Sequence, residues 1–483
     1  MSGDADGSGV GGRRGIVATG LYLPQQRLDG DEIEAAWGTT VPVDRAAVPA
    51  ADEDALTMAV AAGRDALGRW DLGADDVAHL AVATTTPPLE EEAFAPRIAA
   101  ALGLDSALST TTATQSTAAG GEALLAGVDS DGPALVVVAD APGGDAAEVG
   151  QRAGAGAAAF VVDDDADVVL EDSARESRDA PGLRLRERGS TDVSELDITT
   201  YERETVRDTV STVLGRLVID HDAVGAASLQ QPTGDIPHRI GKALPYDAAA
   251  ISSGTVVNDI GDAGAATVAI GLLAGLEAVD AGATVVAGFF GSGATAVGLG
   301  FEVNAPPEPG VGAAIAAGEE ISYPEALRAR GTIGDTEVAG GGAHVSLPSW
   351  QRTIAQRYRL VAGRCPGCGA VAFPPEGACP ACGAREEFES TPLSLTGEVV
   401  AVTAIGQGGA PPEFVAQQRR DGPFAVAIVE ATTVDGDGSA RFPAQLTDCD
   451  VEAVSVGDVV TGELRRIYTV EGVTRYGLKF VPE

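Results

Sequence analysis

Apolar positions along the chain trace one ladder of elements twice. Residues 54–70 carry apolar side chains at helical spacing, and 77–86 form an apolar run ending in Thr84-Thr85-Thr86. A helix over 94–104, a strand over 107–114, a small-residue helix over 116–128 and a buried strand over 134–140 follow. The same order then returns: helix 201–219, strand 223–230, helix 236–244, strand 255–260, helix 263–279 and strand 283–290. Strands without a polar face belong in parallel sheets covered by helices on both sides. The pattern therefore predicts a duplicated α/β architecture of two βαβαβ-type halves. Helices 116–128 and 263–279 are rich in Ala and Gly, so they are able to pack closely inside the molecule.

After residue 346 the period changes. A short amphipathic helix over 350–360 leads into two cysteine pairs. Five short β runs follow, over 397–404, 424–430, 441–446, 458–465 and 476–480, and predict a small all-β barrel. The expected parts are a disordered tail over 1–13, two halves over 14–165 and 166–345, a helix plus metal knuckles over 346–392, and the barrel over 393–483. The Gly-, Ser- and Asp-rich opening has none of the features of a signal peptide. One uncharged run, 282–301, has the length of a membrane span. It holds six glycines and a Gly291-Ser292-Gly293 turn, which predicts two buried strands instead.

Charge narrows the functional classes. The chain carries 71 acidic and 32 basic residues, a net charge of −39, and its only lysines are Lys242 and Lys479. Such a surface repels phosphate backbones, so nucleic-acid binding is not expected. Hydrophobic content of 45% rules out a disordered acidic chain. Self-repulsion of this size suits concentrated salt, where the screening length falls to ~3 Å. The expected setting is the cytoplasm of a halophile.

Five cysteines all lie after residue 360, too few for a disulfide scaffold. Four follow the pattern C-x2-C, ten residues, C-x2-C: Cys365, Cys368, Cys379 and Cys382. Each pair sits in a Cys-Pro-x-Cys-Gly knuckle whose tight turn faces two thiolates toward one point. Two knuckles make a tetrahedral sulphur cage, which suits structural zinc with no open catalytic position. Redox pairs or disulfides are the alternatives. A reducing cytoplasm and the matched doubling of the knuckles count against them. Cys449 has no partner in the sequence and reads as a core residue.

Several segments resemble a known family. They are Gly15-Ile16, Gly20-Leu21-Tyr22-Leu23-Pro24, the stretch Asp52-Glu53-Asp54-Ala55-Leu56-Thr57-Met58-Ala59-Val60, Gly261, and Gly291-Ser292-Gly293-Ala294. Over roughly 14–340 they resemble archaeal 3-hydroxy-3-methylglutaryl-CoA synthases, which share the thiolase fold with 3-ketoacyl-carrier-protein synthase III. The remainder, roughly 346–483, resembles the acyl-CoA-associated family of a rubredoxin-like zinc ribbon followed by an OB-fold. The first resemblance implies acyltransfer on CoA thioesters within the mevalonate route and a homodimer paired through the strand over 109–114. The second implies a CoA-binding or bridging partner of a thiolase or synthase.

The family's reaction uses a Cys nucleophile at a helix N-terminus, a Glu for proton transfer, and a His and an Asn near the thioester oxygen. Carried over by motif, these positions are Thr117 (with Ser116 as the close alternative), Thr85, Gln230 and Asp262. All four have changed type. The resemblance therefore implies a degenerate synthase serving as a non-catalytic CoA-binding scaffold. The alternative is an active acyltransferase using Ser116 or Thr117, with His238, Glu90, Glu91 or Glu92 as a substitute base. A hydroxyl needs such a base within hydrogen-bond reach.

Overall fold

The computed structural model describes residues 13–196, 199–334, 345–406 and 414–483. Residues 1–12, nearly all of the expected tail, lie outside the described residues. Nine strands form one sheet: β1 Gly15–Tyr22, β2 His79–Ala83, β3 Ser109–Ala113, β4 Ala134–Asp140, β5 Gly156–Asp163, β6 Val168–Ala180, β7 Val224–Leu229, β8 Ala283–Gly291 and β9 Gly293–Val303. Their order in space is β7-β8-β9-β6-β1-β5-β4-β2-β3.

The duplication is visible in that order. The first copy runs third, second, fourth, fifth and first strand from its edge inward, and the second runs second, fourth, fifth and first. The two first strands, β1 and β6, pair in the middle through Gly15–Val169 and Ile16–Val168. The third strand of the second copy is missing. Residues 255–260, expected as that strand, instead end in a short helix, Val257–Ile260. Gln231 is the reason. Its buried Oε1 accepts the amides of Val256 at 2.7 Å and Val257 at 3.1 Å, so those groups do not enter a ladder.

The small-residue helices became α3 Ala119–Val128 and α5 Ala266–Glu277, both packed against strands of both copies. Close packing requires their glycines: a Cβ at Gly121 would lie 2.8 Å from Val297 Cβ on β9. Helix α1 Ala55–Gly68 covers β1, β5 and β4, while α4 Thr199–Leu214 covers β9, β8 and β6. Helix α2 Ala95–Leu102 precedes the edge strand β3. The uncharged run is the β8–β9 hairpin. No helix among the described residues is long and apolar enough to cross a membrane.

The expected helix over 350–360 is two, α6 Leu347–Arg352 and α7 Ile354–Arg359, separated at Thr353, whose φ of −109° and ψ of 13° interrupt the turn. A three-stranded ribbon follows: β10 Val361–Arg364, β11 Val371–Ala372 and β12 Glu389–Pro392. All five barrel strands are present as β13 Thr396–Ile405, β14 Phe424–Thr432, β15 Ser439–Gln445, β16 Val459–Val470 and β17 Val473–Pro482. They lie in the order β15-β14-β13-β16-β17, and a bridge between Leu446 and Phe480 brings the two edges together as in an OB-like barrel. Cys449, expected in the core, is half-buried at its margin, and burial pushes its thiol up to about 11.

The barrel is seated on the first copy by buried charge. Lys479 Nζ donates to Asp52 Oδ2 at 2.6 Å, and Tyr476 OH to Asp54 Oδ2 at 2.7 Å. Arg465, 1% exposed, donates to Asp448 Oδ2 at 2.9 Å and to the Tyr22 hydroxyl at 3.0 Å, with Glu53 3.5 Å away.

Candidate functional site

The turn between β3 and α3 carries Ser116 and Thr117, the two residues that the resemblance offers for the nucleophile position. It opens at Gln115, whose φ of 75° reverses the chain so that residues 116–118 lead into the helix. Thr117 is buried and donates to the Phe290 carbonyl at 2.6 Å. Ser116 is half-buried, and its Oγ accepts the Ala118 amide at 3.1 Å. A Cβ at Gly291 would collide with that Oγ, so glycine at the β8–β9 hairpin is what lets Ser116 seat there. Gln230 reaches the same strand from the other side, where its Oε1 accepts the Phe290 amide at 3.4 Å.

Thr85 is held by Asp140, a residue the sequence reading did not single out. Asp140 Oδ2 accepts Thr85 Oγ1 at 2.7 Å, the Thr85 amide at 3.1 Å and the Ala265 amide at 2.9 Å. Its Oδ1 accepts the Thr84 and Thr86 hydroxyls. Ala265 caps α5, so the carboxylate also lies at a helix N-terminus, where negative charge is favoured. Its acceptor sites are filled, which suits a buried hub and not a proton shuttle.

Thr85, Ser116 and Thr117 do line one cleft, together with Gln115, Arg184, Arg186 and Ser292. The free space is about 50 Å³. Small-molecule sites typically measure about 300–1,000 Å³, so the space directly beside Ser116 and Thr117 is small. Two arginines occupy the room. Arg184 forms an ion pair with Asp262, and Arg186 donates to the Thr85 carbonyl. Burial alone would lower the Arg184 guanidinium, but the Asp262 carboxylate overrides it and raises it. Among the described residues no histidine and no carboxylate lines this cleft. His238 sits half-buried on the helix Asp235–Gly241, outside the lining. Glu90, Glu91 and Glu92 are exposed; Glu90 accepts the Gly189 amide at 3.3 Å and Glu92 pairs with Arg97 at 2.5 Å. The one signal for the plugging arginines was Arg184-Leu185-Arg186-Glu187-Arg188 between Gly182 and Gly189, an alternation of arginine in an acid-rich chain.

The four cysteines converge as the spacing predicts. Their sulphurs lie within 4.8 Å of one another, with Cys365–Cys382 at 3.8 Å and Cys368–Cys379 at 3.7 Å. A tetrahedron with Zn–S bonds of about 2.3 Å has S···S edges near 3.8 Å, so the cage fits zinc. The knuckles are built alike. Cys365 accepts the Gly369 amide at 2.8 Å and Cys379 the Gly383 amide at 2.9 Å, each glycine holding φ near 75° (76° and 74°). Amides of Cys382 and Ala381 pull the Cys379 thiol down to about 6, whereas Cys368 is pushed up to about 12: the Ala370 amide pulls it down, but its hydrogen bonds with Cys382 and Cys379 outweigh that.

Comparison with known proteins follows the same division. Residues 352–389 match the family described as ChsH2, rubredoxin-like zinc ribbon domain. A DUF35 domain-containing scaffold protein of Methanocaldococcus jannaschii is 38% identical over 136 residues, covering 28% of this chain and 88% of that protein. The hydroxymethylglutaryl-CoA synthase of Methanopyrus kandleri is 26% identical over 309 residues, covering 60% of this chain and 88% of that enzyme. Among solved structures, an HMG-CoA synthase complexed with CoA superposes with a TM-score of 0.61 at 16% identity, covering 70% of this chain and 96% of that one. The HMG synthase of the curacin biosynthetic pathway superposes with a TM-score of 0.58 at 16% identity, covering 66% and 88%. These likenesses identify the nine-stranded part as thiolase-like in fold.

Proposed function

The chain is a hydroxymethylglutaryl-CoA synthase homologue and, through its C-terminal part, belongs to the DUF35 domain-containing family; from that premise we propose that it is a non-catalytic scaffold of acyl-CoA metabolism. One observation carries the reading. Arg184 and Arg186 stand where an acyl group would need room, tied to Asp262 and to the Thr85 carbonyl. The chemistry agrees. The Ser116 and Thr117 hydroxyls are each engaged with backbone, and a hydroxyl without a base is a poor nucleophile. General-base assistance alone contributes about 10²–10⁴-fold. CoA or an acyl-CoA is then a ligand and not a substrate. A thiolase or an active synthase is the partner that such a scaffold serves in a salt-rich cytoplasm. The edge strand β3, with Thr110 and Thr112 exposed, supports self-pairing across a two-fold axis.

The test is a thiol-release assay with acetyl-CoA and acetoacetyl-CoA in molar potassium chloride, joined to mass spectrometry of the peptide holding Ser116 and Thr117. Background turnover and an unmodified peptide are expected. Turnover, or an acyl group on either hydroxyl, would favour an active acyltransferase with an altered nucleophile.

A further inference from the structure

The Ser116 cleft of about 50 Å³ has a larger neighbour, a cleft of about 640 Å³. Three stretches of chain pass from one to the other. Thr85 lines the smaller cleft and Thr86 the larger. Val193 lines the smaller and Asp192 the larger. Among the described residues Arg186 alone lines both. The larger cleft reaches solvent at Glu90, Gly189 and Asp192, all exposed. The wall between solvent and the space beside Ser116 and Thr117 is therefore one side chain thick on this side.

The backbone that carries this side chain is pinned. Asp192 and Val193 pair in parallel with Gly143 and Gly144, Leu185 and Ser194 form an antiparallel bridge, and Arg152 forms an ion pair with Glu195. Arg184, two residues earlier, is tied to the buried Asp262 carboxylate. Arg186 is held more lightly. It is half-buried, it donates to the Thr85 carbonyl, and among the described residues it has no carboxylate partner. One hydrogen bond from a charged donor, net of competition with water, favours the bonded state by a factor of about 10–100. The released rotamer is then populated at about 1–10%, and side-chain exchange of this kind is fast compared with any movement of the segment.

We propose that Arg186 is a gate between the two clefts. Bonded to the Thr85 carbonyl, it shuts off the space beside Ser116 and Thr117. Released, it joins that space to the larger cleft and so to solvent. The side chain moves and the backbone stays. The inference concerns access alone, whereas the thiol-release assay of the proposed scaffold reads chemistry, so either one fails without the other.

Alkylation of a reporter thiol tests it. The full chain carrying Ser116→Cys is treated with iodoacetamide in molar potassium chloride, and mass spectrometry follows the peptide that holds position 116. Adding Arg186→Ala leaves the gate permanently open, so labelling should accelerate at least about tenfold. Losing a nearby positive charge by itself disfavours the thiolate and slows alkylation, so an acceleration reads access and not reactivity. Arg186→Met keeps most of the bulk but removes the donors that tie the side chain down. It should accelerate labelling by the same factor, and it decides the matter if Arg186→Ala does not fold. Leu185→Ala is the control: it enlarges the small cleft alone, on the same segment, and should leave the rate near that of the Ser116→Cys parent. Acceleration below about tenfold in the folded Arg186 variants, or an equal acceleration by Leu185→Ala, would overturn the proposal.

Discussion

Replacing Lys479 by methionine isolates the bond that seats the barrel. Methionine keeps most of the stem and removes the charge. Lys479 is 2% exposed and Asp52 6%, and their 2.6 Å contact joins residues 427 positions apart. Removing one member of a buried pair costs about 3–5 kcal/mol, because the other charge stays behind without its partner. Arg465 Nε remains 3.9 Å from Asp52 Oδ1, so the lower end, about 3 kcal/mol, is expected. For a unit of about 150–250 residues, each kcal/mol lowers the melting temperature by about 2–4 °C, which places the drop at about 6–12 °C. Adding Asp52→Asn should restore much of it, since the stranded carboxylate is then gone. The pH dependence has a definite sign. Burial raises the Asp52 carboxyl, but Lys479 and Arg465 outweigh it and hold it below its usual value. A depressed carboxyl stabilises above its unfolded pKa and loses that contribution as pH falls through the folded one. The penalty of Lys479→Met should therefore shrink on acidification. Calorimetric melts of the two single variants and the double variant in molar potassium chloride read all of this. A drop under about 2 °C, or strictly additive variants, would refute the reasoning.

Three further outcomes are expected. Metal analysis should find one zinc per chain, and Cys365→Ser should loosen the segment 361–390 to hydrogen exchange while sparing the nine-stranded sheet. Dilution of potassium chloride should lower the melting temperature, because the −39 charges lose their screening; a flat or rising curve would count against salt adaptation. Glu53 should make stability fall as pH rises from about 5 to 7: burial raises its carboxyl to about 7 against the opposing pull of Arg465, so the folded state holds a proton that the unfolded chain has released. The slope is at most about 1.4 kcal/mol per pH unit, and Glu53→Gln should flatten it in pH-dependent urea titrations.

The parts legible in the sequence were those set by neighbours along the chain. The ladder of α1, β2, α2, β3, α3 and β4, and its return in α4, β7, α5 and β8, follows from hydrophobic period. Period is a local property that burial merely reads out. The zinc cage was equally legible, because each Cys-Pro-x-Cys-Gly knuckle makes its own turn and only one relation, knuckle to knuckle, was left to the fold. The five barrel strands were visible for the same reason, their alternation and Gly/Asp turns being short-range.

Tertiary structure decided the rest through contacts that leave no periodic trace. Residues 255–260 read as a strand by composition, yet Gln231, 25 and 26 positions away, takes the amides of Val256 and Val257 and turns the segment into a helix. The resemblance implies that the reactive positions have changed type, but nothing in the sequence implies that Arg184 reaches Asp262 across 78 positions beside that cleft. Asp52, Glu53 and Asp54 drew notice as part of a family motif, and only the folded chain reveals them as the seat of Lys479, Arg465 and Tyr476. In each case a buried polar group had to find a partner, and which partner it found depended on where the whole chain had already brought the backbone.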